Sequence, residues 1–257
     1  VECDRDRALR FLREFAARIA GRVEELPFGL AFFDDGLPQV WDLNYAWIDG
    51  VPSGLDARDL AAELDRIQGG AGLAHRKAVT PDERGGDRLV PGLRELGWRT
   101  DRHLLMAYRR APDRAVSLDA VTEVGEAEIR ALSEAGLRSD PDHFSEEAIR
   151  QLTAQKGVVA AAGARFFAVL LDGTIAAGCD LYSDAAVAQI EAVITLDVFR
   201  NRGFARAVVL GALAAAREAG AELVFLQAEY DDWPKELYRK LGFDAMGAVH
   251  VFVRPPP

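Results

Sequence analysis

Apolar residues recur every three or four positions through residues 5–20, at Leu9, Leu12, Ala16 and Ile19, which predicts an amphipathic helix with one buried stripe. Two strand-like runs follow, GLAFFDD and PQVWDLNYAWI, divided by Gly36-Leu37-Pro38 and read as an antiparallel pair. Strict alternation in the second run puts Trp41, Leu43, Tyr45 and Trp47 on one face, a pattern expected of core or a domain interface. Together with Asn44 these aromatics are the most distinctive cluster of this part. Asp56 is placed to cap a helix reaching about residue 67. A strand near 72–80, a helix near 87–96 and a strand near 102–110 complete the first part. The polar, proline-containing Arg110-Ala111-Pro112-Asp113 marks the expected boundary between a domain at 1–112 and one at 113–257.

The second part opens with a strand near 116–124 and helices near 126–138 and 145–155. Arg165–Leu171 and Thr174–Tyr182 flank Asp172-Gly173, a strong hairpin signal. A strand at Val187–Leu196 leads into a long helix over 204–219, striped by Val209, Ala212, Leu213 and Ala216 and ended by Gly220. A strand at 222–228, a helix at 234–241 and a strand at 248–254 close the chain. This order predicts an α/β (α+β) fold with helices flanking mixed sheet. Both parts end in helix, Gly-aromatic pair (Gly97-Trp98, Gly242-Phe243) and strand, which suggests a distant duplication.

At 257 residues the chain has room for one or two domains, and 49% apolar with 28% charged residues is an ordinary globular balance. No uninterrupted apolar run has the length of a membrane helix, and the start VECDRDRALR is too charged for a signal peptide. Cys3 and Cys179 form no CxxC pair. The expectation is therefore a cytoplasmic protein in a reducing compartment, with no membrane partner. The net charge of −10 argues against nucleic acid as a partner. The charge is uneven: residues 1–112 hold 17 basic and 19 acidic side chains, the remainder 14 and 22. An acidic second half favours a cationic ligand through electrostatic steering.

Against that background, three arginines stand out. No Lys or Arg occurs between Phe166 and Phe199, and then Arg200, Arg202 and Arg206 arrive around Gly203 and Ala205, just where the long helix begins. Helix N-termini present unsatisfied N–H groups and a positive dipole end, and small residues let an anion approach closely. A diphosphate suits such a loop. The plainer reading is an arginine-capped helix end, although arginine there opposes the dipole. His75, His103, His143 and His250 have no metal-ligand spacing and no metal is expected. Cys179 has no acid or base motif beside it, and GxSxG, GxxxxGK[ST] and GxGxxG are all absent. Glu191 is a carboxylate on an otherwise apolar strand, placed by alternation on the face of Val193 and Thr195. It reads as a general base, as a buried glutamate paired with an arginine, or as a strand-end residue in water.

Arg200-Asn201-Arg202-Gly203-Phe204-Ala205 resembles Arg/Gln-x-x-Gly-x-Gly/Ala, the pyrophosphate loop of the GNAT acyltransferases. Asp231-Asp232-Trp233-Pro234-Lys235-Glu236-Leu237-Tyr238, followed by Gly242-Phe243, resembles that superfamily's Asn-x-x-Ala-x-x-Leu-Tyr and Gly-Phe, with Asp231 and Pro234 replacing the Asn and Ala. The likeness covers roughly 116–254; the first part is similar, less specifically, to the degenerate N-terminal half of bacterial tandem GNAT proteins. The resemblance implies two GNAT-like domains, each a mixed, mostly antiparallel twisted sheet flanked by helices. It implies acetyl-CoA as co-substrate, held by the backbone of Val193, Ile194 and Thr195 and by the loop from Arg200 through Arg206, with Asp231 at the position of the usual Asn. It implies direct acetyl transfer to a primary amine of a small molecule or peptide, with Tyr238 as acid and Glu191 as base; a Tyr238 that only packs its helix is the plainer alternative. The first domain is expected to pack on the second and shape the acceptor pocket, in a monomer or homodimer. A catalytically inactive CoA-binding sensor with the same fold is the alternative function.

Overall fold

The computed structural model describes residues 2–140, 143–171, 173–184 and 186–256. In the first half, helix α1 (Asp4–Ile19) precedes strands β1 (Arg22–Leu26), β2 (Gly29–Phe33) and β3 (Tyr45–Ile48). Then come α2 (Ala57–Leu64), β4 (Arg76–Thr80), α3 (Glu83–Glu95) and β5 (Arg99–Tyr108). The second half has β6 (Val121–Val124), α4 (Glu126–Arg138), α5 (Glu146–Ala161), β7 (Arg165–Leu171), β8 (Thr174–Ser183) and β9 (Val187–Thr195). It ends with α6 (Phe204–Glu218), β10 (Leu223–Glu229), α7 (Pro234–Lys240) and β11 (Phe243–Arg254).

All these strands join one sheet in the order β1-β2-β3-β4-β11-β5-β10-β9-β8-β7-β6. Among the described residues, only β3/β4 and β9/β10 pair in parallel. The order is nearly symmetric about the β11/β5 seam: β3 corresponds to β9, β4 to β10 and β5 to β11. Each half sends its last strand across the seam, so β5 lies between β10 and β11 while β11 lies between β4 and β5. The expected α/β class is observed, with the two halves sharing one mostly antiparallel sheet. The expected boundary segment runs irregularly between β5 and β6, where the Arg109 N–H donates to the Gly242 carbonyl and the Asp113 N–H to that of Lys240.

Helices cover both faces. Helices α2 and α3 bury Leu60, Leu64, Leu89 and Leu93 on one face of the first half, and α6 buries Val209, Ala212, Leu213 and Ala216 on the same face of the second. Helices α1, α4 and α5 pack on the opposite face. The stripe of α1 is rotated from expectation: Ala8, Phe11, Phe15 and Ala16 are buried, while Leu9, Leu12 and Ile19 sit at its margin. Phe11 meets Phe225 edge-on at 5.8 Å and Phe15 stacks on Tyr182 at 4.5 Å, so two aromatics decide the orientation.

The long second strand of the first part is shortened to Tyr45–Ile48, because Asn44 organises the chain before it. Its side-chain amide donates to the carbonyls of Leu37 and Val40 and accepts from the Asp34 N–H. The expected face of Trp41, Leu43, Tyr45 and Trp47 therefore holds only for Tyr45 and Trp47. Trp41 lies in a turn stacked on His75, and Leu43 is buried in a small separate cluster. The strand β1, paired with β2, had no expectation attached to it.

Candidate active site

The site begins with a strand that leaves its neighbour. Strands β9 and β10 pair from Val187/Leu223 to Ile190/Leu226 and then separate. Past that point β10 keeps its bonds to β5, Gln227 opposite Leu105 and Glu229 opposite His103. The other edge of β9 stays on β8, with Ile194 opposite Gly178 and Thr195 opposite Ala177. The backbone of Val193–Thr195 thus faces an opening between two parallel strands, a usual place for ligands in sheets with helical crossovers. The Thr195 hydroxyl is buried there and makes no hydrogen bond to the protein.

A β-bulge shapes this opening. Asp180 pairs with Glu191 and Gly178 with Ile194, so Ala192 and Val193 together oppose Cys179. Ala192 takes the left-handed conformation, with φ of 50°. The extra residue overturns the alternation argument for Glu191. Val193 packs with the α6 core, while Ile194 packs with the opposite face, on the side of Glu191. Glu191 is accordingly not on the face of Val193; the bulge separates the carboxylate from the strand edge that follows it.

Beyond β9, a short 3-10 turn (Asp197–Phe199) leads to the loop before α6. Asn201 and Gly203 both have positive φ, 62° and 85°, and a Cβ on Gly203 would meet nothing within 4 Å. The first α6 bond runs from the Ala207 N–H to the Gly203 carbonyl, so the preceding N–H groups point out of the helix end. Arg200 is exposed and paired with Asp197 at 2.8 Å; Arg202 lies over the rings of Phe199 and Phe204. Arg206 departs from expectation in its side chain. Its guanidinium is buried and bound to Asp113 at 2.5 Å, which ties the helix to the inter-half segment, and only its backbone N–H remains for an anion.

Tyr238 is buried on α7, and its hydroxyl makes no hydrogen bond among the described residues. Burial, then the charge of Glu191, pushes its ionisation well above the usual phenol range, so it is a proton donor at neutral pH. Pro234 occupies the first turn of α7, where a missing N–H costs nothing. Asp231 is an exposed turn residue before that helix. Val198, Tyr230 and Trp233, all exposed, cluster on the two loops that follow β9 and β10.

On the other face of the sheet lies a cavity of about 400 Å³, floored by strands of both halves and roofed by α1 and α5. Glu191 enters it from β9. Gln189 donates to its carboxylate at 2.5 Å and the Ala192 N–H donates at 3.2 Å. Burial outweighs both bonds and raises its pKa to about 7 from an ordinary 4.5. It pairs with no arginine among the described residues. Nearby charges are matched: the Lys156 ammonium binds the buried Asp180 carboxylate at 2.7 and 2.8 Å, Tyr182 donates to the same group at 2.8 Å, and Lys77 binds Asp42. His103, also on the floor, is held neutral chiefly by burial. His75 is a core residue against the Asn44 carbonyl, its pKa lowered to about 4 by burial.

Val193–Thr195 thus lie on the strand edge freed between β9 and β10, the loop 200–206 follows that strand, Glu191 lines the cavity on the other face, and Tyr238 lies within electrostatic reach of Glu191. Sequence reasoning missed Gln189, Gln227, Glu229 and Tyr182, which also line the cavity. The signal was present: Gln-x-Glu occurs on both parallel strands, at 189–191 and 227–229. Among the described residues no group of acidic, His or Cys side chains could hold a metal ion, and no helix is long and apolar enough to cross a membrane.

Residues 127–243 match the acetyltransferase (GNAT) family. No curated protein matches the chain. A functionally unknown conserved protein from Staphylococcus epidermidis superposes with a TM-score of 0.69 at 14% identity, covering 93% of this chain and 95% of its own. A GCN5-related N-acetyltransferase from Kribbella flavida gives 0.63 at 20% identity, with 98% and 95% covered. A tandem GNAT protein from the clavulanic acid biosynthesis pathway gives 0.57 at 16% identity, with 90% and 79% covered. At these identities the likeness is one of fold. Residues 127–243 are thus similar to the acetyltransferase (GNAT) family, and the chain as a whole shares the fold of these solved structures.

Proposed function

We propose that the chain is an acetyl-CoA-dependent N-acetyltransferase acting on a primary amine, with residues 113–257 as the catalytic domain and 1–112 as a degenerate GNAT-like domain that builds half of the acceptor pocket. The observation that carries this reading is the parting of β9 from β10. It frees the backbone of Val193–Thr195, the segment that lies in the chain between Glu191 and the loop before α6.

The residues fit the co-substrate. The free backbone edge of Val193–Thr195 can bond an amide-bearing arm as an added strand would, and the unpartnered Thr195 hydroxyl offers a further donor or acceptor. The N–H groups from Arg202 to Arg206 suit a pyrophosphate, with Arg200 and Arg202 supplying positive charge. Acetyl-CoA supplies the activated acyl group. Glu191, with a pKa near neutrality, takes a proton from the bound ammonium so that the nitrogen lone pair can attack the thioester carbonyl. Tyr238 would give its proton to the departing thiolate and regain one as the attacking nitrogen sheds its second proton. Gln189 orients the Glu191 carboxylate. The cavity, at about 400 Å³, has room for a small-molecule amine.

The test is turnover, read as amine-dependent release of free thiol. Tyr238→Phe is expected to lower kcat by roughly 10²–10⁴-fold with CoA affinity unchanged. Equal kcat in wild type and variant would remove Tyr238 from the mechanism. Folded wild type that binds CoA but acetylates no amine would point to the sensor reading.

A further inference from the structure

Two carboxylic acids face one another under α5, and among the described residues only one of them is bound by a cation. Asp180 of β8, fully buried, pairs with Glu191 of β9, and Tyr182 pairs with Gln189 along the same ladder. Residues opposed in an antiparallel ladder share a face, with Cβ atoms about 4.5–5.5 Å apart. Each acid has a neutral donor two positions away on its own strand. Tyr182 bonds Asp180 at 2.8 Å, and Gln189 bonds Glu191 at 2.5 Å. The difference comes from α5. Its Lys156 ammonium reaches both oxygens of Asp180, at 2.7 and 2.8 Å, whereas Glu191 accepts instead from the Ala192 N–H. Two acids this close in a buried site do not both ionise readily unless one charge is compensated. Burial raises the pKa of Asp180, and the Lys156 ammonium and Tyr182 hydroxyl oppose that rise. Burial also raises that of Glu191, where the charges of Asp42 and Asp180 add to the effect.

We propose that Lys156 is a positioning residue: by engaging Asp180 it makes that acid the standing anion of the pair and leaves Glu191 as the one that takes up and releases the proton. The proposal rests on the acetyl-transfer reading, in which Glu191 is the base. Asp180 in turn keeps the ammonium off Glu191, where an ion pair would fill the place of the acceptor nitrogen. The other groups around Glu191 leave this role to Lys156. Lys77 of β4 is bound to Asp42. Burial holds His103 of β5 neutral and keeps Tyr45 of β3, Tyr182 and Tyr238 as phenols. Cys179, packed in the α6 core, is kept a thiol in the same way. Glu229 of β10, an exposed carboxylate, supplies no cation, and the part of α1 that lines the cavity is apolar.

The experiment follows the Glu191 carboxyl carbon by ¹³C NMR against pH in full-length protein, the resonance being identified by its loss in Glu191→Gln. Wild type should titrate near pH 7. In Lys156→Met the two acids share a proton with no cation beside them, and the upper step should rise by about one pH unit or more. In Asp180→Asn the freed ammonium turns to Glu191, whose titration should fall by about one pH unit or more. The double variant, lacking both charges, should titrate close to wild type. Folded single variants that titrate as wild type does, or that move in the same direction, would overturn the proposal. Asp180→Asn buries an unpaired ammonium; should it fail to fold, an unmoved Lys156→Met or a displaced double variant overturns the proposal just as well. Opposite movements in protein that binds acetyl-CoA yet acetylates no amine would uphold the charge arrangement and contradict the acetyl-transfer reading. Turnover with unmoved variants would do the reverse.

Discussion

Glu191 concentrates the chemistry of the site in one titration. Its folded pKa of about 7 exceeds the ordinary 4.5, so the folded protein binds this proton more tightly than the unfolded chain. The resulting stability is present below about pH 4.5 and is lost as pH rises through about 7. Glu191→Gln should therefore make the protein more stable than wild type at pH 8, by about 1–2 kcal/mol. The two proteins should converge near pH 4.5. Catalysis runs the other way, since only the carboxylate accepts a proton. Wild-type kcat/KM should rise with pH through an ascending limb near 7, and that limb should be missing from the residual activity of the Gln variant. Thermal melts at several pH values and a pH-rate profile check both. The candidate status of Glu191 was legible because a carboxylate interrupts an apolar strand. Its actual neighbours, Gln189 and the face it shares, were not, because the bulge that sets them leaves no mark on period-two alternation.

Among the elements, β9 decides most, because its bulge aims Glu191 into the cavity while freeing the edge beyond. Ala192 bears the cost, in a left-handed conformation that crowds its Cβ against the backbone. Ala192→Gly should relieve that crowding and stabilise the fold by about 0.5–1 kcal/mol, whereas β-branched Ala192→Val should destabilise it. Chemical denaturation of the two variants tests this; a stable Val variant would mean the bulge carries no strain. Helices and strands with clear periodicity, such as α6 and the β7/β8 hairpin, were readable from sequence because each buries one face. The Arg200–Ala205 loop was readable because its chemistry is local. The side chain of Arg206 was not: its partner Asp113 lies 93 positions earlier and is set by tertiary packing alone. The irregular chain before β3 escaped for a related reason, since one buried amide, that of Asn44, outweighs an alternating pattern.

At the scale of the molecule, the interleaved seam makes the halves interdependent. Removing residues 1–112 would take β5 from between β10 and β11 and strip α1 from the cavity roof. Three strand edges, both of β11 and one of β10, would lose their partners, which is a route to aggregation. The fragment 113–257 should be insoluble or unfolded, and a soluble, fully active fragment would contradict this view of the fold. The likeness of the two halves was visible in sequence as two helix–Gly-aromatic–strand endings, but the exchange of last strands was not, because strand order depends on pairings that no local pattern encodes. The central claim is that the opening beside α6 takes acetyl-CoA. Calorimetric titration of acetyl-CoA into wild type and into an Arg202→Glu, Gly203→Glu double variant tests it most directly. Micromolar binding by the wild type, abolished in a variant that remains folded by circular dichroism, is the predicted result; no binding to folded wild type would contradict the account.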